Sequence, residues 1–176
     1  RSALRLQDTS TTATVSARYG DPLRIPPAGL RLRFQYRTET PGHTFLVTLN
    51  HHAAGDQWMS GRNNDMAVTG DGSWQTFERT VTAFPEGAET VRLTLWATRW
   101  SETGEATGCV WIDDVSLVDA GTGEPLLSGG DFEPADPADL VPRFDWSAWD
   151  GAVTRALAEF GFNTFRLPVQ GLGGRC

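Results

Sequence analysis

The sequence predicts an all-β fold, an antiparallel β-sandwich built from two packed sheets. Three observations predict it. Apolar and polar residues alternate with period two in segment after segment between residues 2 and 118, the mark of half-buried strands. Clusters of Gly, Pro and Asp punctuate these segments at roughly the 8–12-residue spacing of all-β domains. No helical period occurs before residue 140.

The elements follow in order. Short strands are expected at Leu4–Gln7, Thr12–Arg18 and Leu23–Ile25, with turns at Gly20-Asp21-Pro22 and Pro26-Pro27. Leu30, Leu32, Phe34 and Tyr36 then alternate with Arg31, Arg33, Gln35 and Arg37. After Pro41-Gly42, Phe45, Val47 and Leu49 alternate with Leu46, Thr48 and Asn50. Residues His52 to Gly72 read as a long loop, the kind of segment that often carries function. Trp74 to Val81 reads as a strand, and Val91, Leu93, Leu95 and Ala97 alternate with Arg92, Thr94, Trp96 and Thr98 in the next. Val110 to Val118 completes the set. Phe34, Phe45, Trp74, Phe77 and Trp111 are expected in the core.

The pattern changes after residue 118. Residues 119–145 are rich in Gly, Pro and Asp and read as a linker. From 146 to 176 the period switches. Trp149, Val153, Ala156, Leu157 and Phe160 recur at helical spacing, and Phe162 to Val169 reads as a strand. One helix and one strand cannot make an α/β domain, so the reading expects a piece of a longer protein.

Composition narrows the function. Fifteen cations against 22 anions give a net charge of −7, which argues against nucleic acid and against anionic membrane as partners. No run approaches about 18 apolar residues, so neither a transmembrane helix nor a secretory leader is read in the given residues. All the cations are Arg, which excludes lysine chemistry. Cys109 and Cys176 match no zinc or disulfide framework. His51-His52 with Asp56 fits no familiar metal spacing, and no nucleophile elbow, P-loop or dinucleotide fingerprint is present.

Three stretches carry a resemblance. Gly72-Ser73-Trp74-Gln75-Thr76-Phe77, Thr90-Val91-Arg92-Leu93-Thr94-Leu95 and Gly108 through Asp113-Asp114-Val115-Ser116-Leu117 together resemble the galactose-binding-like jelly rolls, the carbohydrate-binding modules of many secreted glycoside hydrolases. The family's opening Asn-Gly-Asp-Phe-Glu segment is missing before Ser2, and a similar run, Leu127 to Glu133, follows the last strand instead. The resemblance implies a polysaccharide or oligosaccharide partner and an extracellular or cell-surface location. It also implies a structural calcium at Asp113 or Asp114, of the oxygen-ligand type. Their adjacency on one strand makes them a poor pair for glycosidic acid–base work. Asp145 to Asp150 with Phe162 to Pro168 resembles the opening of the barrel of glycoside hydrolase family 123. That likeness implies a covalent C-terminal catalytic domain, with its acid and base outside these residues, so the chain by itself is expected to be non-catalytic and its status as an enzyme stays open.

Candidate sugar contacts come from the residues themselves. Sugar sites need aromatic faces for the apolar side of a pyranose and polar groups for its hydroxyls. Trp96 falls on the side of its strand opposite Val91, Leu93 and Leu95. Arg33, Gln35, Asn50 and His52 take the corresponding outward positions of theirs, and all are expected to share one concave face. Trp58, Arg62 and Asn63 join from the long loop, and Trp100 from another. Two functional readings stay open: a non-catalytic carbohydrate-binding or accessory module, and a structural spacer or adhesion sandwich with no sugar site.

Overall fold

The computed structural model describes residues 2–99 and 106–133, within one compact unit, Arg1–Pro134. The expected helix and strand of residues 146–176, the later part of the expected linker, and Trp100 lie outside the described residues. Among the described residues the chain is an antiparallel β-sandwich of jelly-roll type. Its strands are β1 (Leu4–Asp8), β2 (Ser16–Arg18), β3 (Leu23–Arg24), β4 (Leu30–Thr38), β5 (Thr44–Ala53), β6 (Gln57–Thr69), β7 (Gln75–Val81), β8 (Thr90–Trp96) and β9 (Gly108–Asp119). One four-stranded sheet has the order β1-β9-β4-β7, and a five-stranded sheet has the order β2-β8-β5-β6 with β3 also paired to β8.

The period-two pattern decides what each strand buries. Leu30, Leu32, Phe34 and Tyr36 point inward from β4, and Phe45, Val47 and Leu49 meet them from β5. Phe34 is fully buried, stacks on Phe77 at 4.8 Å between centroids, and lies 6.3 Å from Phe45 across the sandwich. Tyr36 packs beside them and donates its hydroxyl to the Thr69 carbonyl at 3.3 Å. Burial first, and then the Asp71 carboxylate, push its phenol above the ordinary value, so it stays a neutral donor.

Strand β9 changes phase midway. Val110 and Ile112 face the core before Asp113-Asp114, and Val115 and Leu117 face it afterwards. An extra residue makes the shift: the pairs Arg33–Ser116 and Gln35–Asp113 enclose one residue on β4 and two on β9. Asp114 takes the left-handed conformation, φ 50°, and its backbone N–H donates to the Asp113 carboxylate at 2.7 Å. A short polar side chain tolerates that backbone better than a branched apolar one.

The long loop expected from His52 to Gly72 is instead the 13-residue strand β6, joined to β5 by a single 3-10 turn, Ala54–Asp56. Edge strands tolerate polar residues on their open face, and β6 pairs only with β5. Its apolar signal, Met66 and Val68, is confined to its last turns of the pleat. Two aromatics expected in the core stand elsewhere. Trp74 is 47% exposed, and half-buried Trp111 faces outward between arginines of the flanking strands.

The first part of the expected linker folds back along β9. Leu126 N–H donates to the Leu117 carbonyl at 2.9 Å and Val115 N–H to the Gly130 carbonyl at 2.7 Å. Leu126, Leu127 and Phe132 pack on the core, and Ser2 N–H donates to the Glu133 carboxylate at 2.9 Å. The segment with the Asp-Phe-Glu likeness thus lies against the sandwich.

Gly130 is where this return segment touches β9 most closely, because a Cβ there would meet the Val115 carbonyl, a backbone atom that cannot move aside. Gly130→Ala is expected to cost about 1–3 kcal/mol by overpacking. Gly20→Ala, with open space around it, is expected to change stability by less than about 0.5 kcal/mol. Urea unfolding of both variants measures the difference.

Candidate functional site

With the odd residues of β5 spent on the core, its even residues, Leu46, Thr48, Asn50 and His52, face away from it. The pairs Thr48–Thr94 and Asn50–Arg92 set the outward residues of β8 beside them. Asn50 Nδ2 donates to Thr94 Oγ1 at 2.8 Å, and Trp96 Nε1 donates to Thr48 Oγ1 at 3.2 Å. The indole of Trp96 is therefore fixed on the outer surface of the five-stranded sheet, half-buried and anchored by its one polar atom.

The far wall comes from β6. Between the pairs Asn50–Asn63 and His52–Trp58, β5 advances two residues and β6 five. This surplus includes Gly61 at φ 71°, a conformation that suits glycine. It is pinned from below, where His51 points inward, places Nδ1 against the Arg62 carbonyl, and meets Phe84 edge-on at 5.8 Å. The result is a cleft of about 650 Å³. Trp58, Trp96, Asn50, His52 and Asn63 line it, together with Thr48 and Asp65. Trp58 is 55% exposed, an apolar surface left in water.

One arginine closes the His52 end. The Arg92 guanidinium forks onto both carboxylate oxygens of Asp56 and also reaches the Gly20 carbonyl. Asp56 in turn lies 3.0 Å from His52 Nδ1. The turn that contains Gly55 and Asp56, both with positive φ, is thereby tied to β8 two residues before Trp58. The Arg92 hydrogen bond holds the Asp56 carboxyl below its ordinary 3.8, with the charges of Arg92 and His52 acting in the same direction.

Five of the residues singled out from the sequence, Trp58, Trp96, Asn50, His52 and Asn63, line this one cleft, whereas Arg33, Gln35 and Arg62 do not. Arg33 and Gln35 do point outward, but from β4, in the opposite sheet, where Arg33 faces Glu78 at 3.8 Å and Gln35 donates to Asp114 at 2.6 Å. Alternation fixes the face of a strand and is silent about its sheet, so the single concave face expected for all of them is corrected. Arg62 contributes its backbone carbonyl, and its exposed side chain is not part of the cleft lining. Arg18, Leu46, Ser60 and Gly61 line the cleft without having been singled out. Arg18 stands on a three-residue strand, and only the pairing of β2 with β8 brings it there.

Asp113 and Asp114, the expected calcium ligands, sit at the β9 bulge. Asp113 is 4% exposed, and each already accepts a hydrogen bond. Among the described residues no group of three or more His, Cys, Asp or Glu side chains is gathered to hold a metal.

No family model matches the chain, and no curated protein matches its sequence. Among solved structures, a family 11 carbohydrate-binding module of the cellulosomal cellulase Lic26A-Cel5E of Clostridium thermocellum is similar at 15% identity and a TM-score of 0.48, over 67% of this chain and 75% of that one. A family 30 carbohydrate-binding module of the cellulosomal cellulase Cel9D-Cel44B of Clostridium thermocellum is similar at 13% identity and a TM-score of 0.48, over 68% and 76%. A family 11 module from the same organism, solved with a β-1,3-1,4-mixed-linked tetrasaccharide, has 15% identity and a TM-score of 0.46, over 64% and 73%. Likeness of this degree assigns neither ligand nor residue roles.

The Asp56–Arg92 tie sets a pH dependence. A carboxyl lowered in the folded state stabilises that state above its unfolded value, and the contribution disappears as pH falls through the folded value. Asp56→Asn is therefore expected to melt below the wild type at neutral pH. The two melting curves are expected to converge in acid, below 3.8. Thermal melts by circular dichroism across that range check it.

Proposed function

We propose that this chain is a non-catalytic carbohydrate-binding module, and that its glycan lies in the cleft on the outer face of the five-stranded sheet. The observation that carries the reading is the meeting of two tryptophans with amide, hydroxyl, imidazole, carboxylate and guanidinium groups in one cleft. A pyranose has an apolar face that suits an indole and an equatorial rim of hydroxyls that suits Asn50, Asn63, Asp65 and Arg18. Both strongly polar and strongly apolar ligands match this lining less well. Among the described lining residues none is arranged as a nucleophile with its base, and the reading is one of binding.

The register favours an extended ligand. Val47 pairs with Leu95 and His52 with Trp58, so Trp96 stands at the Leu46 level and Trp58 at the His52 level. Those levels are about 20 Å apart along β5. The Trp96 indole leans back to Thr48, which shortens the span to about 13 Å, still more than one pyranose ring, so a run of linked rings suits the two indoles better than a single sugar. The same proposal extends to a parent glycoside hydrolase with a covalent catalytic domain, to secretion to the cell surface or beyond, and to a calcium ion held at Asp113 or Asp114 together with backbone oxygens.

Isothermal titration with soluble β-glucan and β-mannan oligosaccharides of increasing length tests the reading. Affinity is expected to rise with length until both tryptophans are engaged. Trp96→Ala and Trp58→Ala are each expected to weaken the longest ligand about tenfold or more, from roughly 2 kcal/mol of lost apolar contact. A folded wild type that binds none of a broad glycan panel, or tryptophan variants that bind like the wild type, would overturn it.

A further inference from the structure

The outer face of the four-stranded sheet carries a second arrangement, far from the cleft in the topology because it belongs to the other layer. Arg5 of β1 and Arg37 of β4 both pair with Trp111 of β9. Their guanidinium carbons lie 5.5 and 5.6 Å from the centre of its ring, within cation–π range. Trp74, 47% exposed, stands next in register to Arg37, one step beyond the pair Tyr36–Gln75. A row of arginine, tryptophan, arginine and tryptophan therefore crosses the sheet.

The two guanidiniums are held but not neutralised. Arg5 spends Nε on the Cys109 sulfur at 3.4 Å, and Arg37 spends Nε on the Gly72 carbonyl at 3.1 Å. Among the described residues neither meets a carboxylate. The acidic groups further along the same strands are engaged otherwise, Glu78 with Arg33 and Asp114 with Gln35. Contact with the Trp111 ring and the Nε hydrogen bonds restrain both guanidiniums beforehand, which lowers the entropy lost when they bind. Nε of each is spent within the chain, and the terminal amino groups are the part of each fork that faces a partner from outside.

We propose that this row is a second binding surface, and that its partner is a uronate-bearing polysaccharide. A planar carboxylate matches the guanidinium fork, and the sugar ring that carries it offers an apolar face to the exposed indole of Trp74. Charge density favours the polyuronate over nucleic acid: a duplex carries one negative charge per about 1.7 Å, so a chain of net charge −7 repels it more strongly than a polymer with one carboxylate per sugar ring. A polyuronate carries one carboxylate per ring and can present only those that reach the row. This inference stands on the Arg5–Trp111–Arg37 geometry and is independent of the cleft.

Native gel electrophoresis of the full chain through gels that contain polygalacturonate tests it, with neutral β-glucan gels and single-stranded DNA as comparisons. Retardation by polygalacturonate that falls at high salt is expected, because exposed charges are screened. The double variant Arg5→Gln/Arg37→Gln is expected to weaken it about tenfold or more, and Trp58→Ala/Trp96→Ala to leave it unchanged. Arg5→Lys/Arg37→Lys keeps the charge without the fork and is expected to bind more weakly than the wild type. Circular dichroism melts establish that each variant is folded, and the lysine pair serves if the glutamine pair is not. Four results would overturn the proposal: no retardation of the wild type, equal retardation of the arginine variants, loss in the cleft variant, or tighter binding of DNA than of polyuronate.

Discussion

The packing of one apolar layer between two sheets constrains everything else in this domain. Phe34, Phe45 and Phe77 with the leucines and valines around them use up the inward positions of β4, β5, β7, β8 and β9. Burial of this kind is worth about 25 cal/mol for each Å² removed from water, so every second residue of a central strand is committed. The residues that remain are the outward ones, and their chemistry is what the molecule can offer a partner. In β5 those are Leu46, Thr48, Asn50 and His52, and in β8 they are Arg92, Thr94 and Trp96. A central strand hydrogen-bonded on both sides is also the stiffest place in a sheet, which holds Trp96 and its Thr48 partner in one geometry.

The cleft exists because one edge of the five-stranded sheet departs from regular pairing. A regular β6 would continue the outer surface as a flat ladder. The surplus residues between Asn63 and Trp58 and the left-handed Gly61 raise a wall beside β5. Two devices keep that irregularity in place. His51, buried beneath, bonds the Arg62 carbonyl, and Arg92 ties the preceding turn through Asp56. An aromatic on an edge strand would otherwise be among the more mobile parts of the fold. Anchoring it from both sides lets Trp58 stay exposed and still hold position.

The two outer faces differ in kind. The five-stranded sheet presents a concave, mixed polar and aromatic surface, whereas the four-stranded sheet presents arginines alternating with tryptophan across its strands. The β9 bulge ends the basic row on the second face: beyond Trp111 and buried Ile112, the Asp113 and Asp114 carboxylates are engaged by the Asp114 N–H and by Gln35. A −7 chain with an arginine-bearing face has an uneven field, and an uneven field steers charged partners more than the net charge does.

Local alternation is enough to read the all-β class, the inward sets of β4, β5 and β8, and the outward position of Trp96, because a period of two is displayed within each strand. The phase change of β9, from Val110 and Ile112 to Val115 and Leu117, was also there to be read. Which outward residues share a surface follows from strand pairing in the folded chain. Arg33 and Gln35 have the same phase as Asn50 and His52, yet strand pairing sends β4 to the other sheet. It also made a strand of residues 57–69, whose polar side chains lack the alternation of a half-buried strand because an edge strand buries only part of one face, and it brought Arg18 to the cleft from a segment too short to show any period. Sheet membership and edge position are set by hydrogen bonds between segments far apart in the chain, and no local pattern records them.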